Sequence, residues 1–246
     1  MSTKSSIRPV MDPTELHEVY AALLAPSFPP SELVPTDWLI DGVASGAVSV
    51  LVTEDESGPV AIAVTEPLEP SPAVLLTYFA TRADRRGQGV GSQLFDAMVT
   101  AVQERTHAPL LVAEVERPDR HAGSPEFGDP SARLRFYGRH GARALDLPYF
   151  QPPIGDGDPV HGILLLALHV DAGLVTTGPG GATGLPGPGL VSEAIDSILG
   201  DPPPAGDGPA AAALRAAAAT PTVQVISLED YQQVPASEPD PTDAAD

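Results

Sequence analysis

The sequence predicts an α/β fold in which helices flank a mixed, largely antiparallel β-sheet. The first observation is the order of hydrophobic patterns, which runs strand, helix, helix, three strands, helix, strand, helix and two strands. The second is a strand, a glycine-rich loop and a helix that follow one another over residues 73–104. The third is a change of composition at Asp171, which predicts a globular domain at 1–170 and a Gly/Pro/Ala-rich appendage at 171–246.

The first part of the chain predicts two helices and an antiparallel hairpin. Asp12 can cap a helix whose first turn contains Pro13, and the proline-rich residues 25–30 end that helix. The sequence Glu-Asp-Glu-Ser-Gly at 54–58 is typical of a turn between two strands. The elements predicted here are a strand at 6–9, a helix at 13–24, a short helix around Trp38, and strands at 48–53 and 60–65.

The centre of the chain predicts a strand that enters a tight loop. Residues 73–79 are apolar, aromatic and β-leaning, which indicates a largely buried strand that extends to Thr81. Glycines alternate through the following loop at 87, 89 and 91, where they allow sharp turns and leave N–H groups uncovered by side chains. A helix is predicted next, because one of its faces carries apolar residues at helical spacing: Val90, Leu94, Phe95, Met98 and Val102.

This loop is a candidate anion site. A helix that begins there directs free N–H groups and its positive dipole end toward a ligand, most often a phosphate. Arg85 and Arg86 add positive charge beside the loop. The glycine spacing does not fit the G-x-G-x-x-G of a Rossmann fold, and the Gly-Lys-Ser/Thr of a P-loop is absent. An ordinary glycine-rich strand–helix turn is the alternative interpretation.

The next part of the chain predicts the remaining core elements. Leu110–Glu116 has the pattern of a strand, and residues 117–130 are polar, with proline and glycine, as in a loop. A short helix at 132–139 is capped from residues 129–131 and ends at Gly141. Residues 144–149 and 162–170 are predicted to form a closing pair of strands.

The appendage shows no catalytic pattern. Residues 176–189 are rich in glycine and proline, which predicts a flexible linker. Helices are predicted at 190–199 and 210–219, a strand at 223–228 and a disordered acidic tail at 233–246. A solvated appendage with one or two docked helices is the expected role.

Composition excludes several function classes. The chain has no cysteine, so disulfides, thiolate metal sites and a cysteine nucleophile are ruled out. A net charge of −20 argues against nucleic-acid binding. It would attract a cationic substrate, although solubility is the preferred explanation of the charge. The first residues lack the apolar region of a secretory signal, and no apolar run is long enough to span a membrane, so a cytoplasmic protein is expected. The six histidines lack metal-ligand spacing.

The spacing Arg86-x-x-Gly89-x-Gly91 resembles the acetyl-CoA pyrophosphate loop of the Gcn5-related N-acetyltransferase (GNAT) family. The predicted order of elements over 1–170 is similar to that of the family. The resemblance implies acetyl-CoA as a co-substrate, with no metal. It also implies that backbone groups at the end of the preceding strand pair with the pantetheine arm. The residues that it assigns to the cofactor are Phe79, Thr81, Arg86, Gly87, Gln88, Gly89, Val90, Gly91 and Ser92.

The segment Leu134–Ala142 resembles the family's Leu-Tyr-Glu-Lys-x-Gly-Phe segment, with Tyr137 at the position of the tyrosine. In many members that tyrosine lies near the CoA sulfur and protonates the departing thiolate. A general acid within hydrogen-bond reach makes such a thiolate a better leaving group. The alternative is that Tyr137 only covers the core beside Phe136.

The strand Ala113-Glu114-Val115-Glu116 resembles the Leu-Glu-Val-Arg strand of acetyltransferases that modify ribosomal-protein N-termini, where the glutamate is the base. Alternation along a strand places Glu114 and Glu116 on one face, where two carboxylates would hold a substrate ammonium and accept its proton. The sequence does not determine which of the two is the base. The alternative is an exposed polar face of an edge strand.

The resemblance has departures. Arg117-Pro118 stands where the family often has an asparagine that contacts CoA, and Ala142 replaces a common phenylalanine. These differences weaken an assignment to the branch that acetylates protein N-termini. The expected function is therefore an N-acetyltransferase whose acceptor is a primary amine on a cationic small molecule. A protein N-terminus or lysine as acceptor, a non-catalytic acyl-CoA-binding module and a homodimer all stay open.

Overall fold

The computed structural model describes residues 5–124, 127–155, 157–178, 181, 183–200 and 208–238. Contacts divide the chain into two compact units. Unit 1 comprises Met1–Pro67 and Val74–Ala108, and unit 2 comprises Leu68–Ala73 and Pro109–Asp246. Each unit is described below by itself.

Unit 1 holds the first four strands and three helices. Its strands pair in the order β1-β2-β3-β4, and every neighbouring pair is antiparallel. The elements are β1 Ser6–Pro9, α1 Pro13–Val19, which continues as a π-helical turn Tyr20–Leu24, α2 Thr36–Ser45, β2 Ser49–Asp55, β3 Gly58–Pro67, β4 Ala73–Thr81 and α3 Val90–Thr106.

Local chemistry explains where α1 begins and where α2 ends. The Asp12 side chain accepts hydrogen bonds from the backbone N–H groups of Thr14 and Glu15, both at 3.0 Å. Pro13 follows in the first turn, where a missing N–H has no cost. Helix α2 ends at Gly46, whose φ of 82° is the left-handed conformation of a helix C-cap.

The strands of unit 1 are covered by helices on two faces. One face packs with α1 and α2 into a core that includes Leu16, Leu39, Val50, Val52, Ile62, Val64, Tyr78 and Ala80. Helix α3 packs against β2 and β3. The Phe95 ring of α3 meets the Phe79 ring of β4 edge-on at 6.2 Å between centroids. Alternation along β4 therefore directs Tyr78 and Phe79 to different helices.

In its described residues, unit 2 holds six strands and three α-helices. Its strands pair in the order β5-β7-β6-β10-β9-β8, again with antiparallel neighbours throughout. The elements are β5 Leu110–Glu116, α4 Pro130–Arg139, β6 Arg143–Leu145, β7 Ile163–Val170, β8 Thr176–Thr177, β9 Thr183–Pro186, α5 Ser192–Leu199, α6 Pro209–Ala218 and β10 Thr222–Ser227.

The fold class predicted from the sequence is confirmed: helices flank a largely antiparallel sheet, and an appendage follows. One strand is shorter than expected, since β6 ends at Leu145 and not at Tyr149. The reason is that the backbone N–H of Leu147 donates to the Leu145 carbonyl oxygen, and that of Tyr149 donates to the Leu147 carbonyl oxygen. These bonds form tight turns in place of a cross-strand ladder.

The appendage is more regular than its composition indicates. Strands β8 and β9 occupy part of the predicted linker at 176–189, because β9 pairs with β10 and β10 in turn pairs with β6. Contacts therefore place the appendage in the same unit as β5, β6 and β7, whereas the sequence predicts a boundary at 170/171. Of the predicted disordered tail, residues 239–246 lie outside the described residues.

Membrane-spanning helices are not found in the described part of the chain. None of its helices combines the length and the hydropathy that crossing a bilayer requires.

Gly187 tests whether the appendage depends on close backbone packing. A Cβ at Gly187 would lie 1.8 Å from the Thr220 carbonyl oxygen and 2.7 Å from that of Ala218, so the backbone would have to shift. Gly187→Ala should lower the free energy of unfolding by about 3 kcal/mol, the upper end of overpacking costs. Urea denaturation monitored by circular dichroism measures this.

Gly173→Ala is the matched control, since a Cβ there meets nothing within 4 Å. Its free energy of unfolding should stay within about 0.5 kcal/mol of the wild type. If both variants unfold like the wild type, the approach of residues 218–220 to Gly187 does not contribute to stability.

Candidate active site

The glycine loop of unit 1 has the geometry of an anion site. Gly87 and Gly89 have φ values of 75° and 84°, which residues with a Cβ rarely adopt. Gly89 is the N-cap of α3 and provides no side chain to cover the first turn. This 17-residue helix therefore directs its positive dipole end toward the loop without a side-chain cap.

Two side chains of the loop donate hydrogen bonds to nearby backbone carbonyl oxygens. Arg86 donates from Nε to the Thr81 carbonyl oxygen at 3.1 Å, and Gln88 donates from Nε2 to the Asp84 carbonyl oxygen at 2.8 Å. Both side chains are exposed. These bonds join the end of β4 to the turn before α3, so the glycines are held in one conformation although they are flexible by themselves.

The arginines beside the loop differ in their partners. Arg85 donates from Nε to Asp55 at 2.8 Å and pairs with Asp84 at 2.7 Å. Arg82 pairs with Asp84 at 2.6 Å. Within the described residues, Arg86 forms no ion pair. The expectation that Arg85 and Arg86 both supply charge to the anion is therefore too broad, because the β2–β3 hairpin engages Arg85.

The other residues assigned to the cofactor lie around the same loop. The Phe79 side chain packs against α3, and its backbone lies opposite Ala63 in the β3–β4 ladder. Thr81 is the last residue of β4 and is half-buried. Val90, Gly91 and Ser92 form the first turn of α3 and are half-buried as well.

The two glutamates of β5 alternate with buried residues, as expected. Glu114 and Glu116 are half-buried, whereas Ala113 and Val115 are buried. Glu114 accepts a short hydrogen bond from the Tyr149 hydroxyl on Oε1 and one of 2.9 Å from Gln151 Nε2 on Oε2. Both oxygens of this carboxylate are thus held by neutral donors.

Glu116 has charged partners. Its Oε2 lies 3.0 Å from Arg133 Nη1 of α4, and its Oε1 lies 3.8 Å from His121 Nδ1. Arg133 also donates to the Phe127 carbonyl oxygen at 3.1 Å. Although they share a face of β5, Glu114 and Glu116 therefore lie in different electrostatic surroundings.

Tyr137 lies on the buried face of α4. Its ring contacts Phe136 edge-on at 5.3 Å between centroids, and the residue is 5% exposed. Burial raises the pKa of the Tyr137 hydroxyl, although the nearby positive charge of Arg133 acts in the opposite direction. The hydroxyl stays protonated at neutral pH, as a proton donor must.

Sequence reasoning missed Tyr149 and Gln151. Burial, followed by the negative charge of Glu114 and the hydrogen bond to it, holds the pKa of Tyr149 well above its ordinary value. Tyr149 is therefore a permanent donor to Glu114. The only available signal was a tyrosine in the proline-rich segment 148–153, and it does not reveal a partner 35 residues away.

Comparison with known families identifies the fold. The model described as the acetyltransferase (GNAT) family matches residues 13–141, which is 129 of the 246 residues. The chain belongs to this family. The predicted N-acetyltransferase activity and acetyl-CoA as the co-substrate are thereby confirmed.

Solved structures agree with the GNAT fold. A protein assigned to the GNAT family from Bacteroides thetaiotaomicron is 24% identical, with 68% of this chain and 87% of that chain covered and a TM-score of 0.51. A candidate acetyltransferase from Acinetobacter baylyi is 11% identical, with 68% and 93% covered and a TM-score of 0.50. At such identities the similarity establishes the fold alone. No curated protein shows significant sequence similarity to this GNAT protein.

Metal ligands are not clustered in the described residues. No group of three or more histidine, aspartate or glutamate side chains is placed there to hold a metal ion.

The substitution Asp55→Asn tests how strongly the hairpin binds Arg85. Hydrogen bonds from Ser57, then the bond and charge of Arg85, hold the pKa of Asp55 well below its ordinary value of 3.8. A lowered folded-state pKa stabilises the fold above the unfolded value, and this contribution is lost as the pH falls below it. Asp55→Asn should therefore lower the melting temperature at pH 7, and the difference from wild type should shrink below pH 3.8.

Thermal unfolding of both proteins at pH 7 and pH 3 measures the effect. Asp41→Asn, on the exposed side of α2, serves as a control and should leave the melting temperature close to that of the wild type. An Asp55→Asn difference that is equal at the two pH values would contradict an ionic role for Asp55.

Proposed function

We propose that this GNAT enzyme transfers the acetyl group of acetyl-CoA directly to a primary amine on a cationic small molecule. The observation that carries the proposal is the Glu114 carboxylate, held on β5 by the neutral donors Tyr149 and Gln151. These hydrogen bonds fix the position of the carboxylate, which can accept a hydrogen bond from a substrate ammonium. The net charge of −20 favours the approach of a cation.

The loop residues of unit 1 would hold the donor. Backbone N–H groups from Gly89 to Ser92 would bind the pyrophosphate at the N-terminus of α3. Arg86 would add the positive charge, since Arg85 is engaged by Asp55. The backbone of Phe79 and Thr81 would pair with the pantetheine arm, and an N–H near Phe79 would polarise the thioester carbonyl.

The residues of unit 2 would move the protons. Glu114, directly or through a water molecule, takes a proton from the ammonium, and the free amine attacks the thioester carbon. The tetrahedral intermediate collapses as the carbon–sulfur bond breaks. Tyr137 protonates the departing thiolate, and the proton left on the new amide nitrogen returns to solvent. Glu116 is the weaker candidate for the base, because Arg133 already neutralises it.

One alternative remains for the tests below. The acceptor is then a protein N-terminus or a lysine side chain, with the same chemistry at the nitrogen.

Calorimetric titration of acetyl-CoA tests the loop. The wild type should bind, and the double variant Arg86→Ala/Gly89→Asp should lose at least 100-fold in affinity, since it removes the cation and places a negative charge at the N-terminus of α3. Arg85→Ala is the matched control and should change the affinity less than threefold, because Asp55 engages that arginine. Equal losses in both variants would contradict the assignment of Arg86, and no binding by the wild type would overturn the donor site.

Turnover tests the acid and the base. Glu114→Gln and Tyr137→Phe should each lower kcat by about 10²–10³-fold at an unchanged KM for acetyl-CoA, because each removes a proton-transfer group. Glu116→Gln should lower kcat by less than about tenfold. Released CoA can be measured with a thiol reagent, since the chain itself contains no cysteine.

The acceptor series in this assay consists of spermidine, tyramine and an alanine-initiated hexapeptide. The proposal predicts that spermidine or tyramine is acetylated fastest. A preference for the hexapeptide would replace it with the peptide alternative.

A further inference from the structure

The C-terminal segment Tyr231–Glu238 is fixed to the loop that follows β5. Arg117, which is 3% exposed, donates from Nη1 to the Val234 carbonyl oxygen at 2.7 Å and stacks over the Tyr231 ring at 5.8 Å. Asp119 engages the same guanidinium at 3.1 Å. A buried guanidinium is costly unless its donors are satisfied, so Arg117 holds the segment in a defined position.

Ser237 connects this segment to Glu114 through one residue. Ser237 is 7% exposed, and its hydroxyl donates to the Tyr149 carbonyl oxygen at 2.8 Å. Because that hydroxyl has a single proton, it accepts at 3.1 Å from His161 Nδ1. The Tyr149 side chain in turn donates to Glu114. Ser237 thus binds the backbone of Tyr149, and Glu114 binds its side chain.

The same network approaches Glu116. His121 donates from Nε2 to the His161 carbonyl oxygen at 2.8 Å, since a carbonyl can only accept. His121 Nδ1 lies 3.8 Å from Glu116 Oε1. Hydrogen bonds therefore join Glu114 to Tyr149, Tyr149 to Ser237, Ser237 to His161 and His161 to His121, whose ring lies beside Glu116.

We propose that Ser237 is a positioning residue for acetyl transfer, which acts on Glu114 through Tyr149. The inference rests on the proposed role of Glu114 as the base. The family match ends at Gly141, so Tyr149, His161 and Ser237 all lie outside it. The appendage therefore contributes to the acceptor side of this particular enzyme and is more than a solvated tail. A base displaced by a fraction of an ångström loses much of its efficiency.

A double-mutant cycle on the full chain tests the proposal. Ser237→Ala should lower kcat about tenfold for the fastest amine of the series above, because Tyr149 loses its backbone anchor. The calorimetric affinity for acetyl-CoA should stay unchanged. In the Glu114→Gln background the same substitution should cause no further loss, since Ser237 acts only through that carboxylate. Ser192→Ala, on α5 of the appendage, is the control and should keep the wild-type kcat.

A spectroscopic readout follows the positioning itself. The Tyr149 hydroxyl proton, shared with a carboxylate, should give a proton resonance downfield of the amide region. This signal should be absent in Tyr149→Phe and shifted upfield in Ser237→Ala, whereas Ser192→Ala should leave it in place. A role of Ser237 in global stability alone would change the melting temperature without shifting this resonance.

The outcomes separate the inference from the function on which it rests. If Glu114→Gln keeps the wild-type kcat, the proposed base is wrong and the inference fails with it. If Glu114→Gln lowers kcat but Ser237→Ala does not, or if the two losses multiply in the double variant, only the inference is overturned. An unshifted Tyr149 resonance in Ser237→Ala also overturns it.

Discussion

The hydrogen bond from Tyr149 to Glu114 constrains much of unit 2. A half-buried carboxylate is tolerated only where donors satisfy its oxygens, and here the donors come from the segment that follows β6. That segment leaves the ladder after the three residues of β6, and it brings the Tyr149 hydroxyl to β5. The chain beyond it then has to anchor the tyrosine backbone, a role that falls to Ser237.

The arginines beside the glycine loop also differ in the groups that they bind. The acidic β2–β3 hairpin engages Arg82 and Arg85, so that positive charge beside the glycine loop is largely used within the protein. Arg86 is turned instead toward the end of β4. Arg82 and Arg85 thus bind the hairpin, whereas Arg86 forms no ion pair within the described residues.

Arg117 departs from the family pattern and has a structural role. It stands where related sequences often have an asparagine for the cofactor, yet here it is buried and binds the backbone at Val234. This arginine therefore makes an internal contact with the appendage. Strand β10, which extends the sheet from β6, brings this segment back to the residues after β5.

The sequence by itself determined the strand, glycine loop and helix at 73–106, because positive φ angles and open helix N–H groups are properties of consecutive residues. It also determined that Glu114 and Glu116 share a face, since alternation along a strand is local. Only the tertiary structure decided that Asp55, 30 residues away, engages Arg85, that Tyr149 donates to Glu114, and that Ser237 binds the Tyr149 backbone. Partners distant in sequence depend on strand register and packing, which no short pattern of residues encodes.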